Sequence, residues 1–134
     1  MTNNFRKDIK YWLESSQKDF QVAQNLFSLK HYPQCLFFCH LSIEKLLKAI
    51  VIKVNRKHPP YIHDLRKLAK LANLDLSPKH EQILDTIFSF NIAGRYADAK
   101  FKFYKKYNKK GYTQKYLKIT KELLLWLKKE FQKK

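Results

Sequence analysis

From Asp8 to Leu29 the apolar residues Trp12, Leu13, Phe20, Ala23, Leu26 and Phe27 recur at helical spacing with charged residues between them. A first helix with one buried face is therefore expected. The tripeptide His31-Tyr32-Pro33 interrupts it, and Pro33 suits the first turn of a second helix running to about Asn55. The first half of that helix is apolar on nearly every side: Cys35, Leu36, Phe37, Phe38, Cys39, Leu41, Ile43. Such a helix is surrounded by protein, either as the central element of a bundle or as one side of a dimer seam. The double proline Pro59-Pro60 forces an extended connection. A short third helix follows, opened by His63 and Asp64, with Asp64 as cap or first-turn acid. Ser77-Pro78 begins a fourth helix through Ile83, Leu84, Ile87 and Phe88, and Gly94 is expected to close it. Between Tyr96 and Tyr112 the spacing is irregular, with Asn108 to Gly111 read as an exposed turn. Periodicity resumes from Thr113 through Tyr116, Ile119, Leu123, Trp126, Leu127 and Phe131.

Two glycines and four prolines in 134 residues leave long tracts without a breaker. The expected fold is all-α: an up-and-down four-helix bundle with an additional short helix, occupying residues 1-134 as one domain. No apolar run reaches the roughly 20 residues of a membrane span, and Met1 to Lys10 is too polar for a signal peptide, so no membrane association and a cytoplasmic location are expected.

Within the second helix, Ser42, Glu44, Lys45 and Lys48 interrupt the apolar surface, and Glu44 with Lys48 has the favourable i,i+4 orientation for an ion pair. Glu44, Lys48 and Asp64 are read as structural polar residues. His31, Cys35 and Cys39 line up at intervals of four, but three ligands on one helix lack a fourth; core cysteines are the simpler reading, and no metal or cofactor is expected.

The net charge of +17 is uneven. From Arg95 onward there are fourteen Lys and Arg against Asp98, Glu122 and Glu130, a net of +11. Such a field concentrates phosphate polyanions; the plain alternative is a set of solvated lysine faces. Within it, Gly94 to Tyr107 reads GRYADAKFKFYKKY. Arg95, Tyr96, Lys100, Lys102 and Tyr104 combine aromatic faces that can stack bases with cations that follow a phosphate backbone. Packing of the same aromatic residues under a loop, with Arg95 paired to Asp98 or reaching Glu44, is the structural alternative.

Four pieces in order resemble the HEPN domain family of prokaryotes: Trp12 followed by Lys18-Asp19-Phe20, IEKLLKAI at Ile43 to Ile50, HDL at His63 to Leu65, and GRYAD at Gly94 to Asp98. The resemblance implies a compact helical bundle that commonly forms homodimers and is often encoded beside a minimal nucleotidyltransferase. It further implies that some members are toxins restrained by that partner, and that catalytic members are metal-independent RNases whose arginine is followed four to six residues later by histidine. Arg95 lies where that arginine is expected, but positions 99 to 102 read Ala99, Lys100, Phe101 and Lys102. The proton-transferring half of the signature is absent. Arg56 and His63 have an arginine, six residues, histidine spacing outside the family's position; His63 is expected to anchor the short helix and is, with Arg95, the catalytic candidate should activity exist. The function expected is nucleotide or RNA binding in a homodimer acting with a minimal nucleotidyltransferase, without RNase activity. The alternative is a metal-independent RNase toxin of a toxin–antitoxin pair.

Overall fold

The computed structural model describes residues 3-92 and 96-134, and among these it contains six helices and no strand. They are α1 (Asn3–Ser28), α2 (Tyr32–Asn55), α3 (Leu65–Leu71), α4 (Pro78–Phe88), α5 (Ala97–Lys106) and α6 (Lys110–Lys133). The all-α bundle with a short additional helix stands. No helix among the described residues is long and apolar enough to cross a membrane.

Local chemistry sets the boundaries. Pro33 sits in the first turn of α2, where its missing N–H costs nothing. Asp64 caps α3, its carboxylate accepting from the N–H groups of Arg66 at 3.1 Å and Lys67 at 3.3 Å. Ser77 Oγ accepts from the His80 N–H at 3.1 Å at the start of α4. The turns after α1, α2 and α3 place Lys30, Arg56 and Asn73 at φ of 64°, 54° and 55°. Non-glycine residues thus occupy the left-handed positions that usually attract glycine, which is how so few glycines suffice.

The core is built around α2, fifteen of whose 24 residues are buried within this one chain. Leu36, Ile43, Leu46, Leu47 and Ile50 meet Leu65 and Leu68 of α3, Leu84 and Ile87 of α4, and Leu123, Leu124 and Leu127 of α6. Each such side chain withdrawn from water contributes roughly 1.5–3 kcal/mol. On the opposite flank Cys35 and Cys39 pack with Ala23 of α1, beside Leu26, Phe27 and Phe38. The all-round apolar character of α2 therefore follows from its central position in the chain.

Two expectations differ. Helix α4 ends at Phe88, before Gly94, which lies outside the described residues. Its last carbonyls are taken by a tight turn, with Ser89 N–H to Asp85 O, Phe90 N–H to Ile87 O and Asn91 N–H to Phe88 O. The stretch read as irregular contains the ten-residue helix α5, and α6 starts at Lys110 with Gly111 inside its first turn. Helix α5 is held by Phe103, 4% exposed, whose ring lies 4.9 Å from Tyr107. Fully buried Phe90 meets Tyr107, Tyr112 and Tyr116 edge to face at centroid distances of 5.7, 6.1 and 5.4 Å.

Candidate functional site

Three residues one helical turn apart, His40, Glu44 and Lys48, form a polar ladder on the otherwise apolar α2, and all three are buried. Glu44 is its centre. Oε2 accepts from Lys48 Nζ at 2.9 Å, and Oε1 accepts from His63 Nδ1 at 2.9 Å. His40 Nε2 lies 3.6 Å from Oε1 and donates to the His63 carbonyl at 3.2 Å. The extended connection after α2 turns at Pro60, with Ile62 N–H bonded to Pro60 O at 2.8 Å, and so lays His63 across the ladder. Lys48 Nζ also stands 5.3 Å from the Trp12 ring and 6.0 Å from that of Tyr61.

The protonation pattern follows from burial. Burial holds the His40 pKa below its ordinary value, outweighing the nearby Glu44 carboxylate that pulls it upward. His40 is therefore neutral at physiological pH, its Nε2–H donating to His63 O, while its Nδ1 has no hydrogen-bond partner among the described residues. His63 donates Nδ1–H to Glu44, and with the ring 38% exposed its Nε2 is the nitrogen left for a further partner. A carboxylate-held imidazole of this kind can shuttle a proton. Arg56, its sequence neighbour in the arginine–histidine spacing, closes α2 as its left-handed C-cap, and the charged group that His63 meets is Glu44 instead.

A neighbouring group has a plainer role: Lys45 Nζ pairs with Asp19 at 2.6 Å and donates to Ser15 Oγ at 2.8 Å, tying α2 to α1. The Cys35 thiol, hydrogen-bonded with Cys39 and buried, is pushed far above the usual thiol range. No cluster of three or more metal-ligating side chains occurs among the described residues.

The aromatic, basic segment lies on α5 and its entry. Tyr96 is 89% exposed and Phe101 72% exposed. Lys102, Lys105 and Lys106 are exposed and Lys100 is half-buried; Lys102 pairs with Asp98 at 3.4 Å on the surface. Tyr104, by contrast, is half-buried against the core and meets Phe103 edge to face at 6.0 Å. Of the binding candidates, then, Tyr96 and Lys102 are exposed, Lys100 is half-buried on another side of α5, and Tyr104 is largely a packing residue. Arg95 lies outside the described residues.

The chain with this six-helix order, carrying Trp12 on α1, His63-Asp64-Leu65 at the start of α3 and the aromatic entry to α5, matches a known family model, the HEPN domain, over residues 9–130. The chain belongs to the HEPN domain family. Among solved structures, TT1696 from Thermus thermophilus is similar, with a TM-score of 0.73 and 20% sequence identity, covering 90% of this chain and 96% of that one. At that identity the likeness speaks for the fold. No curated protein matches the chain.

In this HEPN chain the five histidines, at positions 31, 40, 58, 63 and 80, all precede Arg95. Three participants were not singled out in the sequence: His40, Trp12 in its contact with Lys48, and His80, whose ring stacks on Trp126 at 4.0 Å. The four-residue interval from His40 to Glu44 was the one readable signal among them.

Proposed function

We propose that this HEPN chain is a cytoplasmic nucleotide- or RNA-binding protein that works as a homodimer with a minimal nucleotidyltransferase and does not cut RNA. One observation supports the binding role above others: α5 and its entry present Tyr96 and Phe101, both well exposed, among Lys100, Lys102, Lys105 and Lys106, in the third of the chain that carries a net charge of +11. Exposed aromatic rings set among cations can stack on bases, whose flat apolar faces are worth roughly 1–3 kcal/mol each. The surrounding ammonium groups attract phosphates through counterion release and read little sequence.

The same segment argues against hydrolysis. RNA cleavage without metal needs a group that takes the 2′-hydroxyl proton, and no histidine follows Arg95. Solvated lysines stay protonated near neutral pH and do not replace it.

A second reading, a metal-independent RNase toxin of a toxin–antitoxin pair, is favoured by His63, whose ring is held by Glu44 and remains partly exposed. End-labelled single-stranded RNA incubated with the protein in chelator separates the two. Full-length RNA supports the binding role, whereas cleavage lost in Arg95→Ala or His63→Ala establishes the nuclease. Coexpression with a minimal nucleotidyltransferase should give one complex on gel filtration; separate elution of the two proteins would remove the partnership.

A further inference from the structure

Helix α1 packs chiefly on α2, with Ala23 against Cys35 and Cys39 and the Lys45–Asp19 pair at 2.6 Å, and only loosely on α6. Its flank toward α6 is therefore an open seam. One stretch holds a cavity of about 580 Å³ between Phe20, Gln24 and Phe27 of α1 and Gly111, Leu117 and Lys118 of α6. A smaller hollow of about 210 Å³ lies further along, between Leu13 and Gln17 of α1 and Lys128 and Phe131 of α6. Early α1 thus faces late α6, so the two helices run antiparallel, and from Leu13 to Phe27 the seam extends about 21 Å, or about four helical turns.

The floor of the seam is apolar. Leu13, Phe20, Phe27, Leu117 and Phe131 are only half-buried, each leaving part of its surface to water. One wall is cationic: Lys115, Lys118, Lys121 and Lys128 border the seam, and no Asp or Glu borders either stretch among the described residues. Glu122 lines the other side of α6, toward α4. Gly111 is an independent sign. It lies in the first turn of α6, where helix propensity disfavours glycine, yet a Cβ there would meet nothing within 4 Å and no positive φ demands it. Its missing side chain lowers the wall of the groove and lets an occupant approach the backbone.

A groove between two antiparallel helices with an apolar floor suits a third helix, whose apolar residues recur at i, i+3, i+4 and i+7 along the same axis. The lysine wall sets the charge of that helix. A second copy of this chain fits poorly, since it carries +17 and self-pairing of the seam would set four lysines against four. RNA supplies phosphates for the lysines but no aliphatic stripe for the floor.

We propose that the α1–α6 seam is a docking groove for an acidic amphipathic helix of a partner protein, its apolar stripe on Phe20, Phe27 and Leu117 and its carboxylates against Lys118 and Lys121. This surface is separate from α5 and does not depend on nucleotide or RNA binding.

The test follows the fluorescence anisotropy of a labelled synthetic peptide of four helical turns, with leucines on one face and glutamates along its edges. The full chain should bind it at least tenfold more tightly than a scrambled peptide of the same composition. Lys118→Glu combined with Lys121→Glu should weaken binding about tenfold and transfer the preference to a peptide with lysines in place of the glutamates. Gly111→Leu, which fills the groove without touching the chain's own core, should weaken binding while leaving the melting temperature in place. Equal affinity for the helical and scrambled peptides, or wild-type binding by Gly111→Leu, overturns the proposal. A dimer on gel filtration that Gly111→Leu dissociates gives the seam to a second copy, and filter retention of single-stranded RNA that Gly111→Leu abolishes gives it to RNA; either result also overturns it.

Discussion

Removing the Glu44 carboxylate tests whether the ladder on α2 is a coupled unit. Glu44→Ala leaves Lys48 Nζ buried, its side chain 6% exposed, without the oxygen now 2.9 Å away, and leaves His63 Nδ1 without its acceptor. Breaking one side of a buried pair costs about 3–5 kcal/mol, because the surviving charge remains desolvated. The Trp12 and Tyr61 rings near Lys48 recover only part of this. At roughly 4 °C per kcal/mol for a chain of this size, the melting temperature should fall by about 12–20 °C. The double variant Glu44→Leu with Lys48→Met removes both charges and keeps the volume filled, so it should lose much less than the single variants Glu44→Leu and Lys48→Met combined. Urea unfolding of wild type, both singles and the double, followed by helical circular dichroism, completes the cycle. A cost below about 1 kcal/mol for Glu44→Ala, or a double variant losing the full sum, would show that the ladder is not coupled in this way.

Other consequences are separately measurable. Burial keeps His40 neutral in the folded protein, whereas in the unfolded chain it takes a proton near pH 6.5. The unfolded state therefore binds more protons below that pH, and stability should fall as pH drops through 6.5. His40→Asn should flatten the decline, seen as denaturation midpoints at pH 7.5 and 5.5; an unchanged slope would discount His40 as its source. Phe90→Ala should cost about 3–5 kcal/mol in urea unfolding, since a fully buried ring leaves a cavity among three tyrosines. Cys35 and Cys39, buried and with the Cys35 thiol held protonated, should resist a thiol-reactive dye until the protein unfolds; fast native labelling of both would contradict that burial.

The long helices were legible because burial on one face writes a 3.6-residue period, as in Leu123, Trp126 and Leu127 of α6. Helix α5 was not: its buried face amounts to Phe103 with half-buried Tyr104, while Phe101 is exposed beside it, so aromatic residues fall on both sides and the period disappears. The Glu44–Lys48 pair could be read from spacing alone. That His63 completes it could not, because 19 residues and a double proline separate it from Glu44 and only the folded connection brings them together. The His80–Trp126 stack is a tertiary contact of the same kind, between residues on two helices with no shared local signal.

Retention of labelled single-stranded RNA on filters as salt is varied, for wild type and for the pair Lys102→Ala with Lys105→Ala, bears most directly on the binding role. Each phosphate neutralised contributes about 0.7 to the slope of log affinity against log salt, so losing two exposed lysines of α5 should make the slope shallower by about 1.4. Equal slopes for the two proteins, or no retention of RNA at low salt, would contradict a nucleic-acid surface on α5.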